Sequence, residues 1–353
     1  MKQEKEETQH SQSIGKQSIR FDFPPAIISH ASVVGEMEGN GPLSSYFDQI
    51  ETDPTFGKDS WEEGESEMVR RAVQTAITKS GIEKNEIRYI FGGDLLGQLI
   101  GSTFGLMDFE IPLFGLYGAC STCGEALSLA SMTINAGYAR YAIAVTSSHF
   151  GGAEKQFRFP LEYGNQRPLS ATWTVTGSGA FVLAQTSKEQ PMKEYPRITA
   201  ITTGKVMDYG VRDSMNMGAC MAPAAADTIY QCLEDLSLSP SYFDKIITGD
   251  LGKVGSEILI KLLRDNDVDI EKQHMDCGIE IYNNESQDTH SGGSGCGCAA
   301  STLAGYILHQ METGVWHRIL FVPTGALLST VSYNEGQTIP GIAHGVIIES
   351  TAS

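Results

Sequence analysis

Two distant stretches of this sequence follow one plan, and that duplication limits the fold more than any other feature. The run 114–124 reads as an apolar strand entering a turn of small residues around Cys120. Leu127, Ala130, Ile134 and Tyr138 then recur at three- and four-residue steps, the spacing of one helix face, and a strand follows over 141–146. Around Cys296 the same order returns: a turn of small residues, a helix pattern through Leu303, Tyr306 and Met311, and a strand over 318–322. Both helix patterns stop at a glycine, Gly137 and Gly314, the common C-terminal signal.

The upstream segments repeat as well. Residues 87–95 and 243–251 are short apolar strands that end in Gly-Asp-Leu, placing Asp94 and Asp250 in matching turns. An amphipathic helix is expected before each, over 66–79 and 223–235. Helices alternating with buried strands argue for an α/β chain with largely parallel sheets, and two similar halves pack as one pseudo-symmetric body. Ligands in such sheets gather beyond the carboxyl ends of the strands. The two Asp turns and the two Cys turns are therefore expected to converge. The expected division is a disordered tail over 1–14, a first half over 15–190 and a second over 191–353. The tail is assigned on composition, since its Lys, Glu, Gln and Ser cannot bury apolar surface.

A net charge of −18 argues against nucleic acid as a partner, because phosphate contacts need clustered Lys and Arg. Seven cysteines without framework spacing, and no apolar leader, point to free thiols in a reducing compartment. Cys120 and Cys123 form a CxxC, but no second pair or HxxxH completes a zinc set. The apolar stretch 111–124 is short and broken by glycines, whereas a membrane span takes about 18 residues or more. No transmembrane segment, metal or cofactor is called.

A cysteine at a strand-to-helix turn has a chemical reading. Small neighbours let a ligand approach the backbone, and free N–H groups at the helix start favour a thiolate or a carboxylate. That is the setting of an acyl-accepting nucleophile with a backbone oxyanion hole. The alternative is a small buried residue at a tight crossing, where free Cys is common. The residues alone leave both open.

A resemblance narrows the choice. The duplicated halves, the Gly-Ala-Cys-Ser turn at 118–121 and the closing strands over 319–325 and 341–349 resemble the thiolase and ketoacyl-synthase superfamily, with Cys120 on its nucleophile. Nine blocks in order further resemble the stage V sporulation protein AD family of endospore-forming bacteria: 92–96, 118–122, 144–149, 154–158 with 162–164, 172–179, 221–228, 292–296, 324–329 and 342–345. The resemblance implies a thiolase-like, layered αβαβα body. It implies binding of dipicolinic acid (pyridine-2,6-dicarboxylate), with or without calcium, for uptake into the developing spore. The implied setting is peripheral on the inner spore membrane, beside membrane subunits of one transport complex. Superfamily members dimerise through the sheet edge near the nucleophile, which makes a homodimer the analogous expectation.

The chain departs from the catalytic pattern in ways that favour binding over catalysis. Condensing enzymes need His and a second His or Asn to polarise the thioester and handle the proton. Those positions here hold Gly249, Asp250 and Cys296, and Pro323 and Thr324 replace a second catalytic cysteine. Cys120 is therefore read as lining a ligand site inherited from an enzyme, with a ketoacyl-synthase-like acyltransferase as the alternative and a bare scaffold as the third reading.

Each remaining candidate carries two readings. His149 contacts ligand or caps its own loop. Lys155 and Arg158 hold a carboxylate, or Arg158 pairs with Glu154 along a helix. Asp94 and Asp250 help neutralise a ligand-borne calcium, or accept backbone N–H bonds in their turns. Cys296, with His290, flanks the glycine-rich run 291–295, which fits a tight backbone crossing better than a phosphate loop. His344, among apolar neighbours, reads as a core histidine.

Overall fold

The computed structural model describes residues 12–158 and 166–352; residues 1–11 of the expected tail over 1–14 and the motif 162–164 lie outside them. Strands β1 (Ala26–Gly35), β2 (Ile87–Gly93), β3 (Leu113–Gly115), β4 (Tyr141–Ser148) and β5 (Gly177–Ala184) form the first half, in the order β3-β2-β4-β5-β1. Strands β6 (Arg197–Thr202), β7 (Lys245–Thr248), β8 (His274–Asp276), β9 (Arg318–Val322) and β10 (Gly345–Glu349) form the second, in the order β8-β7-β9-β10-β6. The two orders superimpose term for term. In both, three parallel strands are followed by an antiparallel one. The halves meet edge to edge where Arg197 lies opposite Ala26.

Helices follow the same duplication. The first half has α1 (Trp61–Ser80), α2 (Ile100–Leu106), α3 (Thr122–Asn135) and α4 (Phe150–Phe157). The second has α5 (Met217–Leu236), α6 (Gly252–Arg264) and α7 (Cys296–Thr302), which runs on through a π turn at Leu303–Ile307. Both long helices begin earlier than expected. The side chain of Ser60 accepts from the Glu63 N–H and caps α1, and Asn216 accepts from the Ala219 N–H and caps α5. Pro223, which suggested a helix start, instead lies inside α5.

Alternation along the strands separates three cores. Ile143 and Val145 of β4 face α1, where they pack with Met68, Val69 and Val73, while Ala142 and Ala144 face the middle of the molecule. In the second half Ile246, Leu320 and Ile347 face α5, while Ile247, Phe321 and Ile348 face the middle. Between the sheets Leu127, Ala130 and Ile134 of α3 meet Ala299, Ala300 and Leu303 of the α7 segment. The layers are helix, sheet, helix, sheet, helix, and both faces of each sheet are covered except at the exposed edge strand β3.

Residues 13 and 14, expected to belong to the tail, are paired. Ser13–Ile14 pairs with Ser18–Arg20, which in turn pairs with β6, and Asp235 accepts the Lys16 and Gln17 N–H groups at 2.9 and 2.8 Å. Paired backbone, rather than apolar burial, orders residues 12–14. No helix among the described residues is long and apolar enough to cross a membrane, and all seven cysteines are free and buried.

Candidate functional site

Cys120 sits in the tight turn Ala119–Ser121 that opens α3. Ala119 holds a left-handed φ of 52°, a conformation that costs a non-glycine residue about 1 kcal/mol. The turn is braced locally: the Ser121 hydroxyl donates to the Gly118 carbonyl at 2.7 Å and the Thr122 hydroxyl to the Ala119 carbonyl at 2.6 Å. Gly325 lets the hairpin Thr324–Ala326 press against it, since a Cβ there would lie 2.7 Å from the Gly118 oxygen.

Above the turn is a cavity of about 310 Å³. Leu95, Tyr117 and Phe157 form its apolar wall, and Glu154 and Arg158 are the charged residues that line it. No histidine lines it among the described residues.

The floor shows what the duplication assembled. The Asp250 carboxyl group, from the other half, neighbours the Cys120 thiol. Asp250 also accepts the Gly295 N–H at 2.9 Å and the Thr324 hydroxyl at 2.8 Å. Burial pushes Asp250 up to about 7. Burial first, then the Asp250 charge, pushes the Cys120 thiol well above its ordinary range. Cys296 stands beside them, with its thiol donating to the Ser147 carbonyl at 2.8 Å. The Asp250, Cys120 and Cys296 turns converge as expected.

The other candidates take their places plainly. Asp94 is fully buried behind this floor, accepting the Leu96 N–H at 2.8 Å and the Ser102 N–H at 2.7 Å. Burial raises its pKa, and the equally buried Glu65 is raised by burial and by the Asp94 charge. His149 caps α4: Nδ1 accepts the Gly152 N–H at 3.4 Å and Nε2 lies 2.7 Å from the Pro54 carbonyl. It lines a neighbouring cleft rather than the Cys120 cavity, and burial lowers its pKa. Lys155 points away to Glu62 at 2.7 Å and lines neither space. Arg158 lines both, paired with Glu154 at 2.5 Å. His290 lies 2.9 Å from the Pro168 carbonyl, and His344 accepts the Gly204 N–H at 3.3 Å. No group of three or more His, Cys, Asp or Glu able to hold a metal occurs among the described residues.

Sequence reasoning missed Glu65, Thr324 as an Asp250 partner, and the cation Arg167 of the adjoining cleft. Glu65 sits among Glu62, Glu63 and Glu67 on α1, where its neighbours make it read as part of a solvated face. Thr324 was visible only as the residue standing where a cysteine was expected.

A family model described as stage V sporulation protein AD matches residues 15–349. The stage V sporulation protein AD of Bacillus subtilis (strain 168) is 41% identical over 335 residues, covering 95% of this chain and 97% of that protein. The chain belongs to the stage V sporulation protein AD family. Among solved structures this family member is similar to the cerulenin-bound OleA of Xanthomonas campestris, with a TM-score of 0.60 at 14% identity over 94% of this chain and 97% of that one. It is also similar to 3-oxoacyl-[acyl-carrier-protein] synthase III from Aquifex aeolicus VF5, with a TM-score of 0.55 at 14% identity over 92% and 99%. These likenesses show a thiolase-like fold for this sporulation protein.

Proposed function

We propose that this chain is a non-enzymatic binding subunit for dipicolinate, or for its calcium complex, which serves uptake into the developing spore with membrane subunits of one transport assembly. One observation carries the reading. The thiol at the superfamily's nucleophile position lies beside a buried carboxyl group, and no histidine lines its cavity among the described residues, where acyl transfer needs a base that yields a thiolate. The thiolate is the nucleophile, and a buried thiol beside an acid stays protonated. The space above it remains, with an apolar wall and one arginine able to grip a carboxylate through two parallel hydrogen bonds. Family membership supports the sporulation setting. Attachment at the inner spore membrane would run through protein contacts.

Calorimetry with dipicolinate, with and without calcium, tests this on wild type and Cys120→Ala. The expected result is saturable binding weakened by the substitution, and no mass increase on Cys120 after exposure to acetyl-CoA. An acyl adduct at Cys120 without dipicolinate binding would instead return the chain to acyl transfer.

We also propose a homodimer through the β3 edge. Leu113, Phe114 and Tyr117 are exposed there, on an edge strand whose outer side carries no described partner. Phe114→Glu is expected to give monomer by light scattering; unchanged mass would remove the proposal.

A further inference from the structure

Beside the Cys120 cavity lies a larger cleft of about 830 Å³, and the two spaces have Glu154 and Arg158 in common. The cleft has an aromatic wall: the Phe150 and Trp173 rings stack with centroids 4.0 Å apart, and Trp61 joins them. The Arg167 guanidinium lies 5.1 Å from the Trp173 ring. Arg167 is itself only 11% exposed, yet its carboxylate partner Asp288 is 75% exposed. Glu38, also on the cleft's lining and almost wholly buried, accepts the Thr176 N–H at 3.0 Å through Oε1 and bonds the Tyr282 hydroxyl. Its Oε2 has no hydrogen-bond partner among the described residues.

These features describe a site in search of an anion with a flat body. Arg167 donates to the Asp288 carbonyl at 3.0 Å and to the Asp288 carboxylate at 2.8 Å. An ion pair whose acid side is a solvated surface group is worth little, so a ligand carboxylate can replace the Asp288 carboxylate at small cost while the carbonyl keeps the guanidinium in place. The donors of Arg167 not held by the carbonyl then serve the ligand carboxylate, and the aromatic wall covers the ligand's ring. Arg158, 15% exposed and shared by both spaces, can serve a second carboxylate from either side. Burial pushes Glu38 up to about 7, so near neutrality part of the population presents a neutral carboxyl to the cleft rather than a repelling charge.

We infer that this cleft is a second, outer binding station for a small planar aromatic carboxylate, held by Arg167 and by Arg158, which it shares with the chamber over Cys120. The inference rests on the dipicolinate reading above. It has a consequence that two independent sites would lack. Filling the inner chamber draws Arg158 toward it, so the outer station binds more weakly when the inner one is full.

Titration of the full chain with dipicolinate tests this, followed by calorimetry and by tryptophan fluorescence, since Trp61 and Trp173 both line the cleft. Two binding events are expected, the weaker by about tenfold, a loss the size of one charge-assisted hydrogen bond, with the fluorescence change following the weaker. Arg167→Met should abolish the weaker event and leave the tighter one within about twofold, because Arg167 does not line the inner chamber. Cys120→Phe should abolish the tighter event and strengthen the weaker, because Arg158 is then free to serve it. Melting curves establish that both variants fold. A single event that Cys120→Phe removes and Arg167→Met spares would overturn the outer station while leaving the proposed function intact. A single event that only Arg167→Met removes would overturn the shared arginine and the inner chamber together. No binding by the wild type would overturn the proposed function itself.

Discussion

The turns at Cys120 and Cys296 began as copies and now do opposite jobs. Cys120 keeps a face on a cavity, while Cys296 is sealed, its thiol spent on the Ser147 carbonyl. The residue before each shows the divergence. Ala119 tolerates its left-handed backbone, but Gly295, at a φ of 103°, has no room for a side chain, because a Cβ would lie 2.4 Å from the Ser148 hydroxyl. The acids diverged in parallel. Asp94 binds two backbone N–H groups of its own half, whereas Asp250 reaches across the pseudo-symmetry to the Cys120 thiol. One copy of the duplicated site thus became the chamber, and the other became its floor.

The largest effect expected from that contrast is in packing. A phenylalanine at Cys296 has nowhere to go, and overpacking of about 3 kcal/mol should lower the melting temperature of a chain this long by about 4 °C. At Cys120 the same ring can enter the cavity, so the melt should move by about a third as much while ligand binding disappears. Equal melting shifts for Cys120→Phe and Cys296→Phe would show that the two turns are equally closed.

A second contrast separates the two acids. Asp250 is raised to about 7 in the folded chain, above its unfolded value of about 4. Its favourable contribution is complete below pH 4 and is lost as pH rises through 7, because the unfolded chain ionises first. Asp250→Asn escapes that loss, so its melting temperature relative to wild type should be higher at pH 8 than at pH 5. Asp94, also raised, should show the same sign when changed to Asn. The two part company at the thiol. Removing the Asp250 charge takes away one of the causes that hold Cys120 protonated, so alkylation of Cys120 by iodoacetamide at pH 8 should accelerate several-fold in Asp250→Asn and stay unchanged in Asp94→Asn. Equal rates in both variants would break the assignment of Asp250 as the thiol's partner.

Most of this architecture was legible in the residues because a duplication states everything twice. The Gly-Asp-Leu turns, the helix faces of α3 and α7 and the strands at Tyr141 and Arg318 each had a second copy to check against. What lacked a copy was harder to read. The start of α5 was misplaced because Pro223 resembles a helix opening, while Asn216 seven residues earlier carries the cap. The convergence of Cys120, Asp250 and Cys296 followed from topology, but His149 and Asp94 were drawn toward the ligand by position alone. Their oxygens and nitrogens are already satisfied by backbone, a fact that depends on loop paths no periodicity encodes. The aromatic cleft was invisible because Trp61, Phe150 and Trp173 come from three separate segments.

The smallest expected effect concerns two cations, Lys155 within α4 and Arg158 at its C-terminal cap. Lys155 and Arg158 lie three residues apart and were equal candidates for gripping a carboxylate. Lys155 is more than half exposed and pairs with Glu62, so Lys155→Ala should shift stability by no more than about 0.5 kcal/mol and leave the dipicolinate affinity unchanged. Arg158 is turned inward by one helical step and lies between the two spaces, where Arg158→Lys keeps the charge but loses the planar fork. Calorimetry on the two variants decides whether proximity in sequence or the wall each side chain occupies governs recognition. A loss of affinity in Lys155→Ala as large as in Arg158→Lys would mean that the ligand is drawn by the general charge of α4, and the chamber described here would not be where it binds.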